Sequence, residues 1–209
     1  NMEKTKISKI VIICIVISLI STSFIFSADA TVQYTGVNVV SVKQARTNWC
    51  WAACAEVSGK NVYPGSTRTQ YNVVTYIKGR SSINEGGTIS EGAKGSRYVA
   101  YDKKSYGYTS SKWSFSQITA SLNKGYAVQA GAGYYTDNNR NGGHRVVIYG
   151  TQFIDNSSGN FYYIDYFDPW DATTHHCTYS DFCDGSYNDR RYDQTVSVSY
   201  THLRAHETK

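Results

Sequence analysis

The pattern of apolar residues along the 209-residue chain predicts an α+β domain. Three observations carry this expectation. Helical spacing of apolar side chains falls in the earlier part of the domain, at 50–59, 69–78 and 114–124. Aromatic and β-branched runs concentrate after residue 126. Between two of those runs, Asp155-Asn156-Ser157-Ser158-Gly159-Asn160 has the residues of a hairpin turn. Helices segregated from an antiparallel sheet define the α+β class.

Residues 1–30 read as a secretory signal peptide: Met2 is followed by Lys4, Lys6 and Lys9, then an apolar stretch from Ile10 to Phe26 and the cleavage-type ending Ala28-Asp29-Ala30. The folded domain is expected over 31–199. Residues 200–209 break its pattern and read as a non-native tail. Val32, Tyr34, Val37 and Val39 mark a short first strand. The helix opened at Cys50 is expected to stop near Ser58-Gly59, and a second helix runs from Thr69 to Lys78 with Gly79 as its C-terminal stop. Residues 80–112, rich in Gly, Ser, Lys and Tyr, read as loops with a turn at Gly86-Gly87. Ser114 with Gln117 forms a capping box ahead of Phe115, Ile118 and Leu122, and Gly125 ends that helix. Strands follow at 126–130, from His144 onward after Gly142-Gly143, and from Phe161 to Phe167, the last ended by Asp168-Pro169.

Composition narrows the function classes. Tyrosine supplies 19 of the aromatic residues, enough for a core with a half-polar rim. Over residues 31–199 there are 16 Lys+Arg against 13 Asp+Glu, an excess of 3 without a basic cluster, so nucleic acid is not an expected partner. After signal cleavage no membrane association is expected. With Cys14 in the leader, four cysteines remain. Cys177 and Cys183, in an exported chain, are expected to close a loop as a disulfide in preference to joining His175 and His176 in a zinc site. Cys54, one turn after Cys50, reads as a small apolar core residue. No cofactor is expected.

Cys50 carries the strongest chemical signal. It sits between Trp49 and Trp51, where a polar loop meets good helix formers, which places a thiol at a helix N-terminus. The helix dipole and the unpaired first-turn N–H groups favour a thiolate there, and an imidazolium partner lowers a cysteine pKa further. Gln44, six residues earlier, carries an amide donor suited to share an oxyanion with the Cys50 N–H. If the strands at 144–154 and 161–168 form a hairpin, His144 and Asp168 become neighbours at one sheet edge, and the carboxylate can fix the imidazole tautomer.

Gln44, Cys50 and Trp51, with His144 and the Asp168-Pro169 strand end following in that order, resemble the papain-like cysteine peptidases. Asn48-Trp49-Cys50-Trp51-Ala52-Ala53 is most similar to their compact bacterial members. Thr47 replaces the cysteine of the plant pattern, so that disulfide is missing. The resemblance covers roughly residues 40–185. It implies a papain-like fold, a Cys helix packed on a C-terminal antiparallel sheet, and Tyr179-Ser180-Asp181-Phe182 as a closing strand. It also implies a secreted hydrolase acting on a protein or peptide through catalytic Cys50, His144, Asp168 and Gln44, with specificity built by loops at 80–112 and 131–143. An amide acyltransferase with the same triad and a non-catalytic exported binding module are the alternatives.

Overall fold

The computed structural model describes residues 30–137, 139–185 and 190–199. The expected signal segment up to residue 29 and the tail from 200 lie outside the described residues. What is described is an α+β structure in which every strand pairing is antiparallel.

The strands are β1 (Thr31–Gly36), β2 (Tyr106–Thr109), β3 (Val128–Thr136), β4 (Asn139–Asn156), β5 (Gly159–Asp168), β6 (Thr173–Thr178) and β7 (Arg191–Val198). They form one sheet in the order β2-β7-β3-β4-β5-β6, with β1 paired to β4. The 18-residue β4 is the spine: its first half pairs with β3, its second half with β1 and β5. The helices are α1 (Cys50–Val62), α2 (Gln70–Lys78), α3 (Ile89–Val99), α4 (Phe115–Asn123) and α5 (Tyr179–Asp184).

Helix α1 is buried on every side from Trp51 to Gly59, as a helix without a polar face must be. One side meets α2 and α3 through Trp51, Ala52, Ala55, Val73, Val74 and Val99. The other lies on the sheet, where Cys54 and Val57 pack with Ala127, Val147 and Phe167. A third cluster, built by Ile118, Leu122, Val128, Ile148, Ile164 and Phe182, joins α4 and α5 to the sheet. The charge of Glu56 in this interior is satisfied by Lys60 Nζ at 2.6 Å and the Gln70 N–H at 2.6 Å, as a buried carboxylate requires.

Four expectations are corrected. Helix α1 does not stop at Gly59: that residue is interior, and a Cβ there would lie 2.4 Å from Val99 Cβ, so the glycine permits close helix packing and not termination. The 80–112 region is not only loop, because it holds α3 and β2. Helix α3 was obscured by Gly92, Gly95 and Ser96, poor helix formers placed where α1, α2 and Arg145 approach closely. Residues 131–143 are not a loop but the β3–β4 hairpin, so β4 begins at Asn139, ahead of the two glycines that were expected to turn the chain. Tyr179–Phe182 is helical, opened by the Thr178 side chain accepting from the Asp181 N–H, and β7 occupies the sheet instead.

Candidate functional site

Cys50 is the first residue of α1, ahead of the intrahelical ladder, so its N–H is one of the four such groups without a partner inside the helix. The loop before it is held from two sides. On one, the Gln44 N–H donates to the Pro169 carbonyl at 2.7 Å, tying the loop to the end of β5. On the other, Asn84 anchors it: Asn48 N–H donates to Asn84 Oδ1 at 3.1 Å, and Asn84 Nδ2 donates to Thr47 Oγ1 at 2.9 Å. The flanking tryptophans complete this seam, Trp49 Nε1 donating to the Ile83 carbonyl at 2.7 Å and Trp51 Nε1 to the Glu85 carbonyl at 3.1 Å. The indoles are buried with their polar ends satisfied, and they position both Cys50 and the 83–87 segment.

The β4–β5 hairpin brings His144 and Asp168 together. His144 Nε2 lies 2.5 Å from Asp168 Oδ1, and both residues are buried. The same carboxylate oxygen accepts the Trp170 N–H at 2.8 Å, which fixes its orientation just beyond the strand. With Nε2 committed to Asp168, Nδ1 is the ring nitrogen left for Cys50. Asp165, the other carboxylate of β5, instead meets His176 Nδ1 at 2.6 Å.

The electrostatics favour a charged pair. Burial opposes charge on Cys50, yet the hydrogen bond and charge of His144, together with the Arg145 N–H, outweigh it and hold the thiol below its ordinary value. For His144, burial opposes the imidazolium, but the hydrogen bonds to Asp168 and Cys50 raise its pKa from 6.5 to about 9. Cys54 is a contrast one turn along the same helix. Burial pushes its thiol well above the ordinary value, and its S–H donates to the Arg145 carbonyl at 3.1 Å.

Gln44 departs from expectation in one respect. Its Nε2 donates to the carbonyls of Arg46 and Thr47, each at 2.9 Å, so both amide hydrogens brace the loop and neither is free. Cys177 and Cys183 are also corrected: both are free, buried thiols within the core, and no disulfide joins them. His175 and His176 stack on Tyr166 and Tyr163 respectively, with Nε2 of His175 3.0 Å from Thr173 Oγ1. Among the described residues no group of three or more His, Cys, Asp and Glu side chains is disposed to hold a metal ion.

Cys50 and His144 open onto a cleft of about 520 Å³ between the helices and the sheet. No family model matches the chain, and no curated protein does. The cleft is therefore read from its own walls. Gly86 and Gly87 form one side, where Gly87 lies so close over Trp51 that a Cβ would be 2.2 Å from the indole. Gly131, Gly142 and Gly143 form the other, with Arg140, Arg145, Arg190 and Gln194 supplying the polar groups and Trp170 at the rim. Sequence reading missed Asn84, Trp170 and these arginines. Only Trp170, adjacent to Asp168-Pro169, carried a local signal; Asn84 is placed by its contacts with the Thr47-Asn48 loop, and the arginines by the pairing of distant strands.

Proposed function

We propose that the protein is an exported cysteine peptidase of papain-like type, hydrolysing peptide bonds through a thioester on Cys50. The observation that carries this reading is the ordered contact of three side chains: a helix-terminal thiol of lowered pKa, an imidazole of raised pKa, and a carboxylate 2.5 Å from the far ring nitrogen. Nucleophile, base and orienter are the parts of thiol acyl-transfer chemistry.

In the proposed sequence the Cys50 thiolate attacks the scissile carbonyl carbon, and the oxyanion forms beside the Cys50 N–H at the positive end of α1. The C–N bond breaks as His144 gives its proton to the leaving amine, leaving a thioester. Neutral His144 then takes a proton from water, the hydroxide attacks the thioester, and the acid product leaves with Cys50 again a thiolate and His144 an imidazolium. Asp168 keeps the ring in the tautomer and orientation these transfers need. Gln44 positions the loop leading to Cys50 and would add a second oxyanion donor by exchanging one of its carbonyl contacts.

The test is Cys50→Ala. The substitution abolishes turnover and iodoacetamide labelling while circular dichroism stays native. An active Cys50→Ala protein would overturn the reading.

A further inference from the structure

The cleft beside Cys50 has an electrostatic character that the triad does not account for. Three arginines line it, Arg140, Arg145 and Arg190, and among the described residues no carboxylate lines it. Arg140 is partly neutralised, its Nε lying 2.6 Å from Asp193 Oδ2. Arg145 is not. It is only 5 % exposed, and Nη1 is buried without a hydrogen-bond partner. No ion pair involving Arg145 occurs among the described residues. Arg190 adds a second guanidinium at the rim, stacked 4.9 Å from the Tyr134 ring, with its Nε also buried and unpartnered among the described residues.

A guanidinium removed from water without a carboxylate in contact and with an unpartnered N–H group is costly. Its retention at a cleft wall calls for a ligand that repays the cost on binding. The backbone around it is arranged to leave room. Arg145, Gly131 and Gln194 sit in register across β4, β3 and β7, so they share one face, and the Gln194 side chain lies over the place that Gly131 leaves. On the helix side, Gly92 yields the space that Arg145 Nη1 occupies, since a Cβ there would lie 2.0 Å from it. Arg145 lines the cleft, and the planar fork of donors it carries fits a carboxylate in two-point contact.

Resting on the peptidase reading, we infer that the cleft selects a carboxylate-bearing peptide, with an Asp or Glu side chain close to the scissile bond received by Arg145 and assisted by Arg190. The peptide backbone lies in the cleft between the Gly86-Gly87 wall and the β3–β4 strands, whose sheet side carries the Gln194 side chain over Gly131 and the Arg140 guanidinium over Gly143.

The experiment measures binding to the Cys50→Ala protein by calorimetry, so that no turnover is needed. The ligands are N-acetylated, C-amidated peptides that differ only by Glu or Gln, with the substitution scanned through every position. At one position Glu binds tighter than Gln by roughly ten- to a hundredfold, the range of a charge-assisted hydrogen bond. That preference disappears in Cys50→Ala/Arg145→Gln and is only partly kept in Cys50→Ala/Arg145→Lys, which retains the charge but not the two-point contact. A Gln peptide with a free C-terminal carboxylate tests the other source of the same group; tight binding of this peptide alone would overturn the side-chain assignment. Should Arg145→Gln lose its native circular dichroism, Arg190→Gln serves in its place with a smaller loss of preference. Equal binding of Glu and Gln peptides, or a preference that survives both substitutions, would overturn the inference. Glu-selective binding with no cleavage by wild-type protein would support the anion site and remove the peptidase reading, whereas cleavage indifferent to Glu would do the reverse.

Discussion

Asp168→Asn isolates the charge of the third triad member. Asparagine keeps an oxygen that accepts from the Trp170 N–H and from His144 Nε2, which lie 2.8 Å and 2.5 Å from Asp168 Oδ1, so geometry is preserved and only the negative charge goes. The rise of the His144 pKa from 6.5 to about 9 corresponds to ~3 kcal/mol in favour of the imidazolium. Asp168 heads the groups that oppose the burial cost, with Cys50 next. Losing the Asp168 charge therefore lowers the His144 pKa by about one pH unit or more. The assay is the rate of Cys50 alkylation by iodoacetamide as a function of pH. Wild type shows a first inflection below the ordinary thiol value, where the ion pair forms, and a second near 9, where His144 loses its proton. In Asp168→Asn the second inflection moves down, while the first, a step that leaves His144 charged, does not rise, and the thiolate plateau between them shrinks. Stability follows the same sign: a raised histidine pKa contributes stability that is complete below pH 6.5 and lost as pH climbs through about 9, and the variant loses most of that dependence. An upper inflection unmoved by the substitution would refute the reasoning.

Other substitutions test the supporting structure. Gly59→Ala gains up to about 1 kcal/mol of helix propensity but forces a Cβ to 2.4 Å from Val99 Cβ, so overpacking wins and stability falls by ~1–3 kcal/mol, read as a lower urea midpoint at unchanged slope. Gly87→Ala drives a Cβ into the Trp51 indole at 2.2 Å; the 83–87 cleft wall shifts, and turnover drops further than the melting temperature would suggest. Gln44→Ala leaves the Arg46 and Thr47 carbonyls without their donor and destabilises by about 1–3 kcal/mol, measured by chemical denaturation. Thiol counting on a chain beginning at residue 31 gives one rapidly alkylated cysteine near neutral pH in the folded state, because burial raises Cys177 to about 12 and also raises Cys54 and Cys183. All four react after denaturation without reductant, since none is in a disulfide.

The site proved more legible in the sequence than the fold around it. Cys50 at a helix start, and the pairing of His144 with Asp168, follow from local periodicity and one short hairpin, both of which depend on near neighbours in the chain. Helix α3 did not follow, although Thr88 and Glu91 form a capping box that announces it. Its interior was selected for closeness to Ala55, Val73 and Arg145, and glycine serves closeness at the expense of helix propensity. Gly142-Gly143 misled for a related reason: both lie within β4, and the Arg140 guanidinium lies over Gly143, where a Cβ would fall 2.3 Å from Nη2. The arginine-lined cleft was invisible because Arg145 lies on β4 and Arg190 just ahead of β7, strands that are brought together only through β3. For Cys177 and Cys183, export and proximity in sequence suggested a bridge, but one thiol lies on a strand and the other on a short helix, both directed into the same apolar cluster.

The central claim is that Cys50 carries the acyl group. Acid-quenched mass spectrometry during turnover of p-nitrophenyl esters of N-acetyl amino acids tests it directly. The account predicts an acyl adduct on the peptide containing Cys50, absent from Cys50→Ala and accumulating far more slowly in His144→Ala. Ester hydrolysis that continues in Cys50→Ala with no adduct on any cysteine would contradict it.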